Sequence, residues 1–131
     1  MKVLVVDDNL FLASIIQEIL EGEGCEVMTA KDGNDGYSVY LLFEPDLIIT
    51  DIQMPGKNGL EMMECIRTHN PMIQTIYMTG DINSFRASLL EEEKKYPVSF
   101  FEKPFSLARL TQFVSRSTAE PMLENAAYGS L

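Results

Sequence analysis

The chain has 131 residues, 46% of them hydrophobic and 23% charged, which is the composition of one globular domain with enough apolar side chains to fill a core. There are 20 acidic side chains against 10 basic ones, for a net charge of −10; so acidic a surface repels nucleic-acid phosphates and argues against direct DNA or RNA binding. No apolar run approaches the roughly 20 residues that span a bilayer.

The first element is Val3 to Val6, a continuous aliphatic run that ends in Asp7-Asp8. Such a run fits a strand buried on both faces. Asn9 is placed to cap a following helix, whose Leu12, Ile15, Ile16 and Ile19 fall on one side. Gly22 and Gly24 end that helix. Glu26 to Thr29 reads as a weaker strand, and Asp32-Gly33 as a turn. Tyr37, Tyr40 and Leu41 mark a second helix, stopped by Pro45.

Leu47-Ile48-Ile49-Thr50 is a second buried strand, and it too ends in an acid, Asp51. A loop follows at Pro55-Gly56 and Gly59, then a third helix face at Leu60, Met63 and Ile66. Gln74 to Met78 is a strand closing at Thr79-Gly80. Ile82, Phe85 and Leu89 carry a fourth helix, and the run Glu91 to Lys95 reads as its solvated end. Val98 to Phe101 is a fifth strand, ending near Lys103-Pro104, and Leu107, Leu110 and Val114 face a last helix.

Five strand–helix units in alternation predict an α/β fold, a five-stranded parallel sheet with helices on both faces in the flavodoxin-like (βα)5 arrangement. The domain is expected over residues 1–117, with 118–131 as a poorly ordered tail, because periodicity fades there and Glu120-Pro121 opposes a continuing helix. Cys25 and Cys65 lack a C-x-x-C spacing and read as reduced core thiols. The short apolar start, cut off by acids, does not resemble a signal peptide, and the expected compartment is the cytoplasm.

In a doubly wound sheet, ligands gather at the carboxyl ends of the strands. There the pattern places Asp7 and Asp8, Asp51, Thr79 and Lys103 on one edge. Clustered carboxylates repel one another unless a cation intervenes, and an oxygen-rich set suits Mg²⁺. An Asp carboxylate is also a known type of phosphoryl acceptor. Lys103 can supply a point charge and Thr79 a hydroxyl to the transferring oxygens.

Each residue also has an ordinary reading. Asp7-Asp8 could only cap a helix, Asp51 could be a loop acid, Lys103 a surface lysine, and Thr79 a plain strand residue. Phe100 and Phe101 are adjacent, so they face opposite sides of the strand and one must be core. His69 reads as a solvated residue near the end of the third helix. The pattern as a whole outweighs these separate readings.

Val5-Val6-Asp7-Asp8-Asn9, the loop from Asp51 to Gly59, Met78-Thr79-Gly80 and Lys103-Pro104-Phe105 together resemble bacterial response-regulator receiver domains of the chemotaxis-regulator type, over about residues 2–116. That resemblance implies a two-component phosphorelay module, not an enzyme with turnover, which assists its own phosphorylation and dephosphorylation. It implies Asp51 as phosphoacceptor, Thr79 and Lys103 at the phosphoryl group, and Mg²⁺ held by Asp8 directly, Asp7 through water, Asp51 and the Gln53 carbonyl. Thr79 and Phe100 would form the switch. The implied partners are a histidine kinase or phosphotransfer protein and a downstream protein docking on the fourth helix, fifth strand and fifth helix, with a homodimer on phosphorylation also allowed.

Three departures stand out. The segment from Thr79 to Lys103 is slightly long, with Tyr96-Pro97 where a Gly-Ala turn is common. Phe100 has no hydroxyl, so switching there works by packing. Gln53 and Asp81 occupy positions that tune dephosphorylation.

Other functions fit less well. An Asp-nucleophile phosphatase resembles Asp-x-Asp, but the residue two after Asp51 is Gln53, which moves no protons. A nucleotide or flavin domain would carry a Gly-rich fingerprint that is absent from the sequence. A receiver-like interaction domain that is never phosphorylated remains the alternative.

Overall fold

The alternation of buried aliphatic runs with amphipathic segments resolves into ten elements in the computed structural model, which describes residues 1–118. They are β1 (Lys2–Val6), α1 (Leu10–Gly22), β2 (Glu26–Ala30), α2 (Gly33–Phe43), β3 (Leu47–Asp51), α3 (Gly59–Arg67), β4 (Gln74–Thr79), α4 (Ile82–Lys95), β5 (Val98–Glu102) and α5 (Leu107–Thr118). All strands run parallel, in the order β2-β1-β3-β4-β5. The expected tail at 118–131 lies, beyond Thr118, outside the described residues.

Burial on both sides explains why β1 and β3 read as unbroken apolar runs. Leu4, Val6, Ile48 and Tyr77 face one core with α2, α3 and α4. Val3, Val5, Ile49, Ile76 and Met78 face a second core with α1 and α5. Among the described residues, no helix is long and apolar enough to cross a membrane.

Local signals set the helix starts. Asn9 accepts from the Leu12 amide and Asp32 from the Asp35 amide. Asn58 and Glu61 form a reciprocal capping box on α3. Asp81 caps α4, accepting from both the amide and the hydroxyl of Ser84.

Three expectations need correction. In α1 the deepest residues are Ala13, Ile16 and Leu20, with Ile15 and Ile19 only half-buried; the apolar stripe is wide, so its centre is ambiguous from spacing alone. In α2 Leu41 points to solvent, and Gly33, Gly36, Tyr40 and Phe43 pack inward. The end of α4 is not wholly solvated: the Glu92 side chain is only 16% exposed and pairs with Arg67. His69 is exposed, as expected, and shares a 2.7 Å hydrogen bond with the Tyr37 hydroxyl. Cys25 and Cys65 are free thiols, and Cys65 accepts from Lys57 Nζ at 3.3 Å.

Candidate phosphoryl-acceptor site

Strand direction makes the site. In a parallel sheet every strand ends on the same edge, so the polar residues closing β1, β3, β4 and β5 meet there. Asp51 is the last residue of β3, and register pairs it with Met78 of β4. Thr79 closes β4 opposite Glu102. Lys103 follows β5, and its amide donates to the Thr79 carbonyl at 2.7 Å, which ties the lysine to the end of β4.

The Lys103 ammonium lies 3.2 Å from Asp7 Oδ2 and 3.4 Å from Asp51 Oδ2. Asp7, Asp8 and Asp51 each present a carboxylate oxygen within 4.8 Å of the others. Asp7 is fully buried and Asp51 is 7% exposed, whereas Asp8 is open to solvent. The Ile52 amide donates to Asp51 Oδ1 at 2.9 Å and the Asn9 amide to Asp7 Oδ1 at 2.8 Å, fixing both rings of donors around the acids.

Burial raises the Asp51 pKa above its usual range, and the neighbouring Asp7 raises it further. Lys103 and the Ile52 amide oppose that shift. The carboxylate is therefore ionised against resistance, a condition that favours a cation or an electrophile beside it.

An all-oxygen set with one solvent-facing acid fits a hard divalent ion that keeps several waters. Gln53 lies exposed in the loop just past Asp51, its backbone on the same side of the sheet end. Two glycines shape that loop. A Cβ at Gly59 would strike the Asp51 carbonyl, and one at Gly33 would strike the Lys57 carbonyl.

Phe100 stands beside Tyr77 in the β4–β5 register, diagonal to Thr79 on the same face. Phe100 packs toward the α4 side and Phe101 toward α5, as adjacent strand residues must. Phe101 meets Phe105 and Phe113 edge-on.

A family model described as the response regulator receiver domain matches residues 3–115. The chain belongs to that family. As a receiver domain it is part of two-component signalling, in which such domains accept a phosphoryl group.

The relatives agree with this assignment. The DNA-binding transcriptional regulator NtrC of Salmonella typhimurium is 28% identical over 115 residues, covering 88% of this chain and 24% of that protein. This receiver thus spans about a quarter of the length of that relative. Among solved structures, the response regulator TrrA of Thermotoga maritima, in complex with Mg²⁺-BeF, is 30% identical, with a TM-score of 0.74 over 88% of this chain and 96% of that one. The Francisella response regulator 1452 receiver domain is 27% identical, with a TM-score of 0.76 over 87% and 93%.

The receiver edge thus gathers every residue singled out from the sequence at the strand ends: Asp7, Asp8, Asp51, Thr79 and Lys103. The pattern did not reveal the glycine contacts at positions 33 and 59, which depend on how α2 and α3 approach the loop. It also missed Arg67, Tyr77 and Glu92, polar side chains that meet between α3, β4 and α4.

Proposed function

We propose that Asp51 is the phosphoacceptor of this receiver and that the phosphoryl donor is the phosphohistidine of a kinase or phosphotransfer protein. One observation carries the reading: a nearly buried carboxylate, pushed toward protonation, sits 3.4 Å from a lysine and within a three-acid cluster.

The chemistry follows from those groups. An Asp51 carboxylate oxygen attacks phosphorus as the bond from phosphorus to the donor imidazole nitrogen breaks. The electron pair leaves with the imidazole, and an acyl phosphate remains on Asp51. The attacking oxygen is ionised in a dry setting, so little hydration must be stripped before it reacts. The Lys103 ammonium then faces the phosphoryl oxygens, and the Thr79 hydroxyl donates to one of them. Asp7, Asp8, Asp51 and the Gln53 carbonyl would hold a Mg²⁺ ion, which would supply charge neutralisation on those oxygens.

The same groups assist the reverse hydrolysis, in which water attacks phosphorus and Asp51 is the leaving group. Gln53 and Asp81 flank the approach, and both are exposed. Because Asp81 also caps α4, its position is tied to the switch helix.

Phosphorylation then alters the face made by α4, β5 and α5, which a downstream protein or a second copy of the chain would read. The test is intact-mass analysis with Mg²⁺ and acetyl phosphate. A gain of one phosphoryl mass that disappears in Asp51→Asn is expected, and persistent labelling of that variant would remove the assignment.

A further inference from the structure

Side chains two apart on a strand share a face, so Thr75 and Tyr77 lie on the same side of β4 as Thr79. Tyr77 is fully buried, and its hydroxyl donates to Glu92 Oε1 of α4 at 2.6 Å. Arg67, the last residue of α3, donates to the same oxygen at 2.5 Å. Its other terminal nitrogen donates to Thr75 Oγ1 at 3.2 Å. The Tyr96 ring covers the guanidinium, 4.2 Å from ring centroid to Cζ. Both charged side chains are withdrawn from water, at 5% exposure for Arg67 and 16% for Glu92.

Three elements therefore converge on one carboxylate near the carboxyl end of α4. Burial, and then the Glu92 charge, raise the Tyr77 pKa well above its usual range, so the hydroxyl stays a donor at any working pH. Of these residues, Glu92 and Tyr96 lie in the Thr79–Lys103 segment that departs from the common receiver pattern, where Tyr96-Pro97 stands in place of a Gly-Ala turn.

The other end of α4 is held differently. Asn83, Ser84, Arg86, Ala87 and Ser88 are exposed, and Ile82 is the buried residue of the first turn. The Asp81 side chain bonds within the helix start, while its amide donates to Thr79 Oγ1 at 3.0 Å, so this end of the helix is tied to Thr79 itself. A Cβ at Gly80 would meet nothing within 4 Å, which leaves the preceding joint free to move.

We infer that Glu92, gripped by Tyr77 and Arg67, is a fixed pivot about which the amino-terminal half of α4 swings when Thr79 responds to phosphorylation. The inference rests on the phosphoacceptor reading above. Moving the carboxyl end would leave a buried charge or hydroxyl unpaired, whereas moving the amino end gives up only the bond from the Asp81 amide to Thr79, the residue whose response drives the motion. Tyr77 is a positioning residue here. It shares its strand with the switch threonine and carries the helix anchor, so strand and helix keep one reference point.

The test loads the whole chain with Mg²⁺ and beryllofluoride, a stand-in for the phosphoryl group, and follows backbone amide shifts and hydrogen exchange. The parent is expected to show shifts from Asp81 to Leu89 at least roughly threefold larger than those from Glu92 to Tyr96, and exchange without the ligand roughly tenfold slower in the anchored half. Tyr77→Phe keeps the ring and removes one donor; it is expected to speed exchange at Glu92 to Lys95 and to spread the ligand-induced shifts into that segment. Equal shifts in both halves of the parent, with Thr79 and Lys103 responding, would overturn the pivot and leave the phosphoacceptor reading intact. No response at Asp51, Thr79 or Lys103 would overturn the phosphoacceptor reading and the pivot with it. A Tyr77→Phe protein that behaves like the parent removes Tyr77 from the anchor, and should that variant fail to fold, the parent measurement decides alone.

Discussion

Gly33, the first residue of α2, lies against the carbonyl of Lys57, six positions past Asp51, with no room between them for a Cβ. That contact fixes the loop carrying Gln53 against the rest of the site. Gly33→Ala must push the loop or the helix away, and overpacking of this kind costs about 1–3 kcal/mol. Urea unfolding is expected to show that loss, with slower labelling of Asp51 by acetyl phosphate at a temperature where the variant is folded. Unchanged stability and labelling would mean that the loop yields freely.

Asp51, the proposed phosphoacceptor, is also a liability to the fold. Its pKa is raised above the ordinary 3.8, so the folded state holds the proton more tightly than the unfolded chain does. Above the folded pKa the ionised carboxylate therefore weakens the fold. The penalty fades as pH falls through that value toward 3.8. Asp51→Asn in chelator at neutral pH is expected to be more stable than the parent by roughly 1 kcal/mol, and the gap is expected to narrow on acidification. Urea melts at several pH values measure it. A variant less stable than the parent at neutral pH would contradict the electrostatic account.

What the sequence revealed and what it hid divide along physical lines. Asp7, Asp8, Asp51, Thr79 and Lys103 were legible because each closes or follows a short apolar run, and a parallel sheet brings all such ends to one edge. The Arg67–Tyr77–Glu92 contact was not, because Tyr77 reads as ordinary core and Arg67 as a surface residue. Glu92 hides in a run of charges, although its spacing from Phe85 and Leu89 places it on the inward stripe of α4. The inward face of α1 was blurred because its apolar stripe, from Leu10 to Leu20, is wide. The Asn58–Glu61 capping box went unread, although the two residues stand three apart as such a box requires.

Asp8 is the exposed member of the acid cluster, so its loss disturbs little packing. Asp8→Ala is expected to weaken Mg²⁺ binding by about tenfold, equivalent to ~1.4 kcal/mol, with little change in stability when Mg²⁺ is chelated. Calorimetric titration with Mg²⁺ gives the comparison. An unchanged affinity would place the ion elsewhere.

Thr79 and Phe100 lie diagonally across the β4–β5 pair, so a shift of one changes the space open to the other. Thr79→Ala removes the hydroxyl that would reach the phosphoryl group and keeps the acceptor. It is expected to take phosphate at Asp51 while the resulting shifts along Ile82 to Leu90 and Val98 to Phe101 shrink roughly fivefold, the lower end of ordinary allosteric coupling. If the phosphorylated variant shows the parent's shifts in those segments, the signal leaves the site by a route that does not use Thr79.

The central claim is that one carboxylate, Asp51, takes the phosphoryl group within the Asp7, Asp8 and Lys103 cluster. Intact-mass spectrometry of the parent and of Asp51→Asn, each incubated with Mg²⁺ and acetyl phosphate, tests it most directly. The account predicts a single phosphoryl adduct on the parent, lost in alkaline hydroxylamine as an acyl phosphate must be, and no adduct on Asp51→Asn or when Mg²⁺ is chelated. An adduct that survives on Asp51→Asn, or a parent that stays unmodified with Mg²⁺ and donor in excess, would contradict it.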